Sequence, residues 1–231
     1  MQNSTPPRSR GEPTKCEPPA RGRGRPRGFD RDAALTQAMY LFWRKGFAAT
    51  SISDLTGAMG IGSPSLYAAF GSKEALYCEA LRHYGERYDA LVWGRFAAAA
   101  TARAAVEALL TDTAAALTDA TGTTVPPGPC GRAEPVGCMV TLSAAGSEGH
   151  AELGEIVRAA RMRGLERVTD RLRRAVAEGE VGASVDVPAL ARFVMTVQGG
   201  LSLQARDGAS RAELEAVAAQ AMRGWDARLG G

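Results

Sequence analysis

Residues 46–76 read GFAATSISDLTGAMGIGSPSLYAAFGSKEAL, and this stretch decides the fold. It contains three helix-start signals in quick succession, at Ser51, Ser63 and Ser72. A serine hydroxyl before a helix accepts a hydrogen bond from a free first-turn amide, and an acidic residue three positions later, as after Ser51, reinforces the start. The proline after Ser63 favours the first turn as well. The spacing therefore predicts short helices with tight turns between them.

Two of these helices form a recognisable pair. We predict a first helix over residues 52–59, a turn over 60–62 and a second helix over 63–70. A short helix propped by another through a glycine turn can enter the major groove of DNA. The apolar positions expected to hold the pair together are Ile52, Leu55, Ala58, Ile61 and Leu66. The polar side chains expected to face outward are Thr50, Ser51, Ser63, Ser65 and Tyr67.

The rest of the chain is helical by pattern too, and we predict an all-α fold. A three-helix helix-turn-helix domain is expected at residues 29–72, and a larger helical domain at 73–231. The first helix should end at Gly46, and the helix that begins at Lys73 should stop near Gly94. Further helices are predicted over residues 103–118, 137–145 and 151–178, from Asp186 onward, and from Ser210 to near Leu229.

Charge is concentrated at one end of the chain. Residues 1–31 hold eight basic and three acidic residues, whereas the 231-residue chain has a net charge of only +3. Residues 1–28 are rich in Pro, Gly and Arg, so we predict a disordered basic arm that meets a polyanion. We expect a cytoplasmic protein without a membrane segment, because the first residues carry no apolar signal region and charges interrupt every apolar run.

The stretch 46–76 resembles the DNA-binding signature of the TetR/AcrR family. The resemblance runs over about thirty continuous residues and places the glycine turn, the Leu66-Tyr67 pair, Phe70 and the Ser72-Lys73 start in one register. What it implies is an all-helical homodimer, not an enzyme, that binds a palindromic operator in double-stranded DNA. It also implies repression that ends when an unknown small-molecule effector enters the C-terminal domain.

The resemblance assigns roles to single residues. Thr50, Tyr67 and Lys73 would contact phosphates, with Ser51 beside them, and Ser63, Pro64 and Ser65 would lie nearest the base edges. Where many relatives carry a polar residue or histidine before the phenylalanine, this chain has Ala68-Ala69, so readout is expected to lean on thymine methyls and DNA shape.

Simpler interpretations stay open for four of these positions. Tyr67 and Phe70 would serve equally as core packing, the more so for Phe70. Thr50 and Ser51 would serve as helix caps without touching DNA.

Gly22-Arg23-Gly24-Arg25-Pro26-Arg27 contains an Arg-Gly-Arg-Pro core similar to that of an AT-hook. Glycines keep such a segment slim, which lets the arginines enter a narrow, A·T-rich minor groove. We therefore predict DNA contacts from Arg23, Arg25 and Arg27, with a solvated basic tail as the alternative.

No motif in the larger domain names a ligand. Tyr88, Met139, Met162 and Met195 are candidates for an apolar pocket, although methionines at helical spacing are more often core. The Gly199-Gly200 pair weakens its helix unless another backbone approaches closely, so this helix and the last one are predicted to form the dimer interface.

Other functions are less well supported. A metal- or thiol-responsive sensor would use Cys78, His83, Cys130, Cys138 and His150, but no metal-binding spacing is present. An enzyme would need a catalytic motif that the sequence lacks, and no cofactor is predicted. An architectural DNA-binding protein would not need a second domain of about 140 residues.

Overall fold

A computed structural model describes residues 29–118 and 136–229, which form helices only. In chain order these are α1 (Arg31–Lys45), α2 (Ile52–Met59), α3 (Ser63–Phe70), α4 (Lys73–Ala98), α5 (Ala102–Thr118), α6 (Met139–Leu142), α7 (Ala151–Ala177), α8 (Val187–Arg206) and α9 (Arg211–Leu229). The all-α prediction is thereby confirmed. The predicted basic arm, with Arg23, Arg25 and Arg27, lies outside the described residues.

Local signals set the ends of the first helices. Gly46 ends α1 with a φ of 81°, a conformation that favours glycine. Ser51 and Asp54 form a reciprocal capping box at the start of α2. The predicted cap at Ser63 is wrong, because Gly62 is the N-cap of α3 and Ser63 is its first helical residue. The Gly62 carbonyl accepts from the amides of Ser65 and Leu66, so the cap lies one residue earlier, although the helix itself covers residues 63–70 as predicted.

Helix α4 is longer than the sequence pattern suggests. We predicted a stop at Gly94, whereas α4 continues through that glycine to Ala98. A mid-helix glycine costs about 1 kcal/mol relative to alanine. Phe96 offsets this cost, because it is buried at 6% exposure and packs edge-on against Trp93 with ring centroids 5.2 Å apart. The tertiary packing of a side chain beyond the glycine thus extends the helix.

Two apolar cores lie along the molecule, and α4 contributes to both. The first joins α1–α3 to the first half of α4 and also takes in Met139, Leu153 and Val157. The second unites α5, α8 and α9 with the C-terminal part of α7 and includes Phe96 from the end of α4. Among the described helices, none is both long and apolar enough to cross a membrane. Helices α1–α3 therefore pack directly against α4 and against residues of α6 and α7 in the larger domain.

Candidate nucleic-acid interface

The turn between α2 and α3 depends on Gly60. Its φ of 66° and ψ of 28° are left-handed, and its amide and that of Ile61 both donate to the carbonyl of Thr56. A residue with a Cβ adopts this conformation only at a cost. Leu55 and Leu66 are completely buried, one on each helix. The turn and these two leucines hold α3 in a fixed position on α2.

The outward face of α3 is polar and small. Ser63, Pro64, Ser65 and Tyr67 are all exposed, and Tyr67 leaves 47% of its surface open. Phe70 points the other way and is only 4% exposed. This geometry agrees with core packing for Phe70 and leaves the Tyr67 phenol accessible. No side chain caps the α3 N-terminus, so the hydroxyl of Ser63 is not used in a cap.

The remaining predicted contacts are partly engaged by the protein itself. Thr50 is completely buried, and its hydroxyl donates to the carbonyl of Gly46 at 2.6 Å. The hydroxyl of Ser51 accepts from the amide of Asp54 at 3.0 Å. The Nζ of Lys73 lies 4.2 Å from the centre of the Phe47 ring, and burial lowers the pKa of this ammonium. Thr50 therefore does not face outward as predicted. With Ser51 it orders the start of α2, whereas Lys73 lies at the start of α4.

Charge in this region is balanced rather than basic. Residues 29–72 contain three basic and three acidic side chains, those of Arg31, Arg44, Lys45, Asp30, Asp32 and Asp54. Helix amides and hydroxyls can bind phosphate oxygens without a formal charge. The excess positive charge of the chain lies instead in residues 1–28.

Two basic residues that our sequence analysis did not single out position the recognition helix. Arg31 donates to the carbonyl of Ala69 at 3.2 Å and to Glu79 at 2.8 Å, and its guanidinium lies 4.4 Å from the Phe70 ring centre. The Nζ of Lys45 lies 2.9 Å from Asp54. The amide of Ser51 and this ammonium hold the pKa of Asp54 at about 2. These contacts join α1 to α2, α3 and α4. Those of Arg31 link residues 38 and 48 positions apart, so no local sequence pattern indicates them.

A cavity of about 780 Å³ lies in the larger domain, bordered by residues of α1, α4, α5 and α7, of α8, and of the segment around α6. Tyr88, Met162 and Met195 lie on its wall. Met139, also proposed as a pocket residue, is packed in the first core at 3% exposure. A space of this size accommodates a small organic molecule.

The segment around α6 connects the cavity to neighbouring helices. Arg161 donates to the carbonyls of Val140, Thr141 and Ser143 at 3.1, 3.0 and 2.6 Å. The Ser143 hydroxyl lies 2.7 Å from the hydroxyl of Tyr77 in α4. Arg161, Ser143 and Tyr77 thus connect the cavity wall to α4, the helix that follows α3.

The sulfur and imidazole groups are spread through the structure. Cys78 and Cys138 border the cavity, and burial raises the pKa of the Cys78 thiol. His83 lies 3.0 Å from the hydroxyl of Thr36, and His150 packs edge-on against Phe47. In the described ranges, no three His, Cys, Asp or Glu side chains form a group that could hold a metal ion. Cys130 lies outside those ranges.

An exposed second helix held by a glycine turn, joined to a helical domain with a cavity, defines a helix-turn-helix transcriptional regulator. Residues 34–80 match the family of bacterial regulatory proteins described as the tetR family. The chain belongs to the TetR family, and it is a regulator rather than an enzyme.

Three relatives illustrate this similarity. The HTH-type transcriptional repressor ComR of Escherichia coli is 33% identical over 206 residues, which cover 89% of this chain and 93% of ComR. The E. coli repressor BdcR is 49% identical over 61 residues, covering 26% of this chain and 31% of BdcR. The structure of a cysteine mutant of the TetR-family regulator CifR, complexed with 26-bp operator DNA, has a TM-score of 0.77 and 39% identity, covering 87% of this chain and 98% of CifR.

Proposed function

We propose that this protein represses transcription by binding operator DNA as a homodimer, with α3 in the major groove, and that a small molecule in the cavity releases it. The observation that carries the proposal is the face of α3, where exposed Ser63, Ser65 and Tyr67 stand on buried Leu66 and Phe70. The repressors ComR and BdcR and the operator complex of CifR support it. A protein that acts on the chromosome works in the cytoplasm.

The proposed contacts divide into three sets. Ser63, Pro64 and Ser65 approach the base edges, because they occupy the first turn of α3. Tyr67 meets a phosphate, with Ser51 and Lys73 flanking the same backbone, and the buried Thr50 supports this site through its hydrogen bond to the carbonyl of Gly46. Arg23, Arg25 and Arg27 of the arm enter the adjoining minor groove.

The proposed dimer forms through α8 and α9. Phe193, Leu203 and Val217 on these helices are 47%, 52% and 46% exposed, which is unusual for large apolar side chains. A Cβ added at Gly200 would meet no described atom within 4 Å, so the backbone there is open to a partner. Sedimentation should show a dimer for the native chain and a monomer for Leu203→Glu. Ile156→Glu changes an equally exposed residue on α7 and should leave the dimer intact.

Selection of bound DNA from a random pool tests the whole proposal. We expect a palindromic consensus whose half-site centres are about 10 bp apart or a multiple of that spacing. Ser65→Asp should abolish binding, because it places a carboxylate in the negatively charged major groove. Ala104→Asp adds the same charge at an exposed position on α5 and should bind normally.

Two outcomes would contradict the proposal. Failure to bind any duplex at low salt would exclude a DNA-binding role. A consensus without symmetry, or equal binding to all sequences, would instead favour an architectural protein.

A further inference from the structure

We propose that the effector is a neutral, largely apolar molecule whose hydrogen-bond acceptor pairs with the indole N–H of Trp43, so that it binds the DNA-binding unit directly. The inference deepens the proposed function, since it rests on the cavity being the effector site.

Trp43 belongs to α1 but borders the cavity. It is 5% exposed, and its Nε1 is buried with no hydrogen-bond partner among the described residues. Tyr84 and Tyr88 pack edge-on against the indole, with centroids 4.9 and 5.3 Å away, and fix its plane. A buried donor without an acceptor is unfavourable, and native structures rarely leave one unpaired. A ligand in the cavity would supply the missing acceptor.

A second unpartnered polar atom borders the same space. Thr113 of α5 is 3% exposed, and its Oγ1 also has no partner in the described part of the chain. The wall therefore includes two residues, from different helices, that each hold an unused hydrogen-bonding group, on a surface that is mostly apolar away from its exposed charged residues. Such a surface suits a compact molecule with one or two acceptors, for example a ketone, an ester or an ether.

The charges around the cavity argue for a neutral ligand. All seven charged residues that border it are solvent-exposed. Arg167 is paired with Asp89 at 2.6 Å, and Arg161 is engaged by backbone carbonyls. Tyr84 faces the interior, and burial raises its pKa well above the usual range, so the phenol stays uncharged. A ligand carboxylate would lose its hydration without a buried cation to replace it.

Trp43 also links the cavity to the DNA-binding helices α2 and α3. Its carbonyl accepts from Arg206 of α8 at 3.2 Å, and the same guanidinium donates to the carbonyl of Val136 at 3.1 Å. Two residues further along α1, Lys45 pairs with Asp54 of α2. A ligand held by the indole therefore contacts the helix on which α2 is fastened, with no intervening element. Differential binding at this point biases the position of the recognition unit.

Three probes of similar size test the chemistry on the full chain: 2-acetylnaphthalene, 2-isopropylnaphthalene and 2-naphthoate. We expect equilibrium dialysis to show that the ketone binds about tenfold more tightly than the hydrocarbon, a difference of about 1.4 kcal/mol. The carboxylate should bind most weakly. Trp43→Phe keeps an aromatic ring without the N–H, so it should remove the ketone's advantage and leave hydrocarbon binding unchanged. Trp225→Phe makes the same change in the second core and should preserve the preference.

A measurement on the unaltered protein covers the case in which Trp43→Phe fails to fold. The chain has three tryptophans, so an indole ¹⁵N spectrum contains three signals. The ketone should shift the Trp43 signal downfield, and the hydrocarbon should not. Tighter binding of the carboxylate, an unmoved Trp43 signal, or no binding of any probe at millimolar concentration would overturn the inference. DNA binding of the ligand-free protein is scored separately, so a failed repressor and a misassigned effector are distinguishable.

Discussion

The α2–α3 unit and the cavity differ in how their structure is specified. In α2–α3, every boundary lies next to a serine cap, a proline or a glycine turn, and the hydrogen bonds at these boundaries join residues three to five positions apart. The cavity draws its wall from residues as distant as Trp43 and Ser202, and no local signal marks any of them. The helix ends of the first region are therefore set by short-range contacts, whereas the cavity wall depends on the placement of whole helices.

The largest expected effect removes the buried support of α3. Leu66→Ala should lower the free energy of unfolding by about 2–5 kcal/mol, because it leaves a cavity at a fully buried position. DNA affinity, measured by gel shift, should fall at least tenfold with it. Leu172→Ala makes the same cavity in the second core, where it should cost similar stability but leave affinity within about twofold. Equal losses of affinity would mean that the two regions are not separately specified.

The arm should contribute the next largest effect. Replacement of Arg23, Arg25 and Arg27 by Gln removes three charges, so the slope of log K against log salt should become shallower by about 3. Affinity at low salt should fall at the same time, while thermal stability stays unchanged. Gln substitution at Arg8, Arg10 and Arg21 removes as many charges outside the Gly-Arg motif. The same loss from both variants would reduce the arm to a nonspecific basic tail.

Loss of one cap should have a smaller effect. Ser51→Ala removes the acceptor for the Asp54 amide and should cost about 1 kcal/mol in chemical denaturation. Ser53→Ala is the control, since the exposed Ser53 follows the cap by two residues and accepts no amide from the first turn. If both variants are equally stable, local caps are not what fixes α2.

The smallest expected effect is an increase in stability. Gly94→Ala should raise the free energy of unfolding by about 0.5–1 kcal/mol, because Gly94 lies inside α4 and an added Cβ would meet nothing within 4 Å. Gly60→Ala is the matched opposite, since its left-handed backbone should make the same substitution destabilising. Thermal melts of both variants would decide. A destabilised Gly94→Ala would mean that α4 requires flexibility at that point.

The sequence predicted the bounds of α2 and α3 to the residue, but not every side-chain environment, since Thr50 is buried and Ala58 is exposed, the reverse of what was predicted. The larger domain was predicted more coarsely. Residues 52–59 and 63–70 were correct as helices because caps and turns are local. The end of α4 was wrong because burial of Phe96 by distant helices outweighs the preference of Gly94. Arg31 contacts Ala69 and Glu79, which lie 38 and 48 positions away. Trp43 borders the cavity together with residues as distant as Ser202. No local sequence pattern indicates contacts over such separations.

Helix α4 leads from the α2–α3 unit into the larger domain. Its 26 residues span about 39 Å at 1.5 Å per residue. A tilt of about 5° about one end of this helix would displace its other end by about 3 Å, simply from this length. In a dimer, the two copies of α3 must lie one turn of duplex apart, about 34 Å, so DNA binding tolerates little change in their separation. A molecule bound in the cavity, which borders α4 from Cys78 to Trp93, would therefore need to tilt this helix only slightly to change that separation.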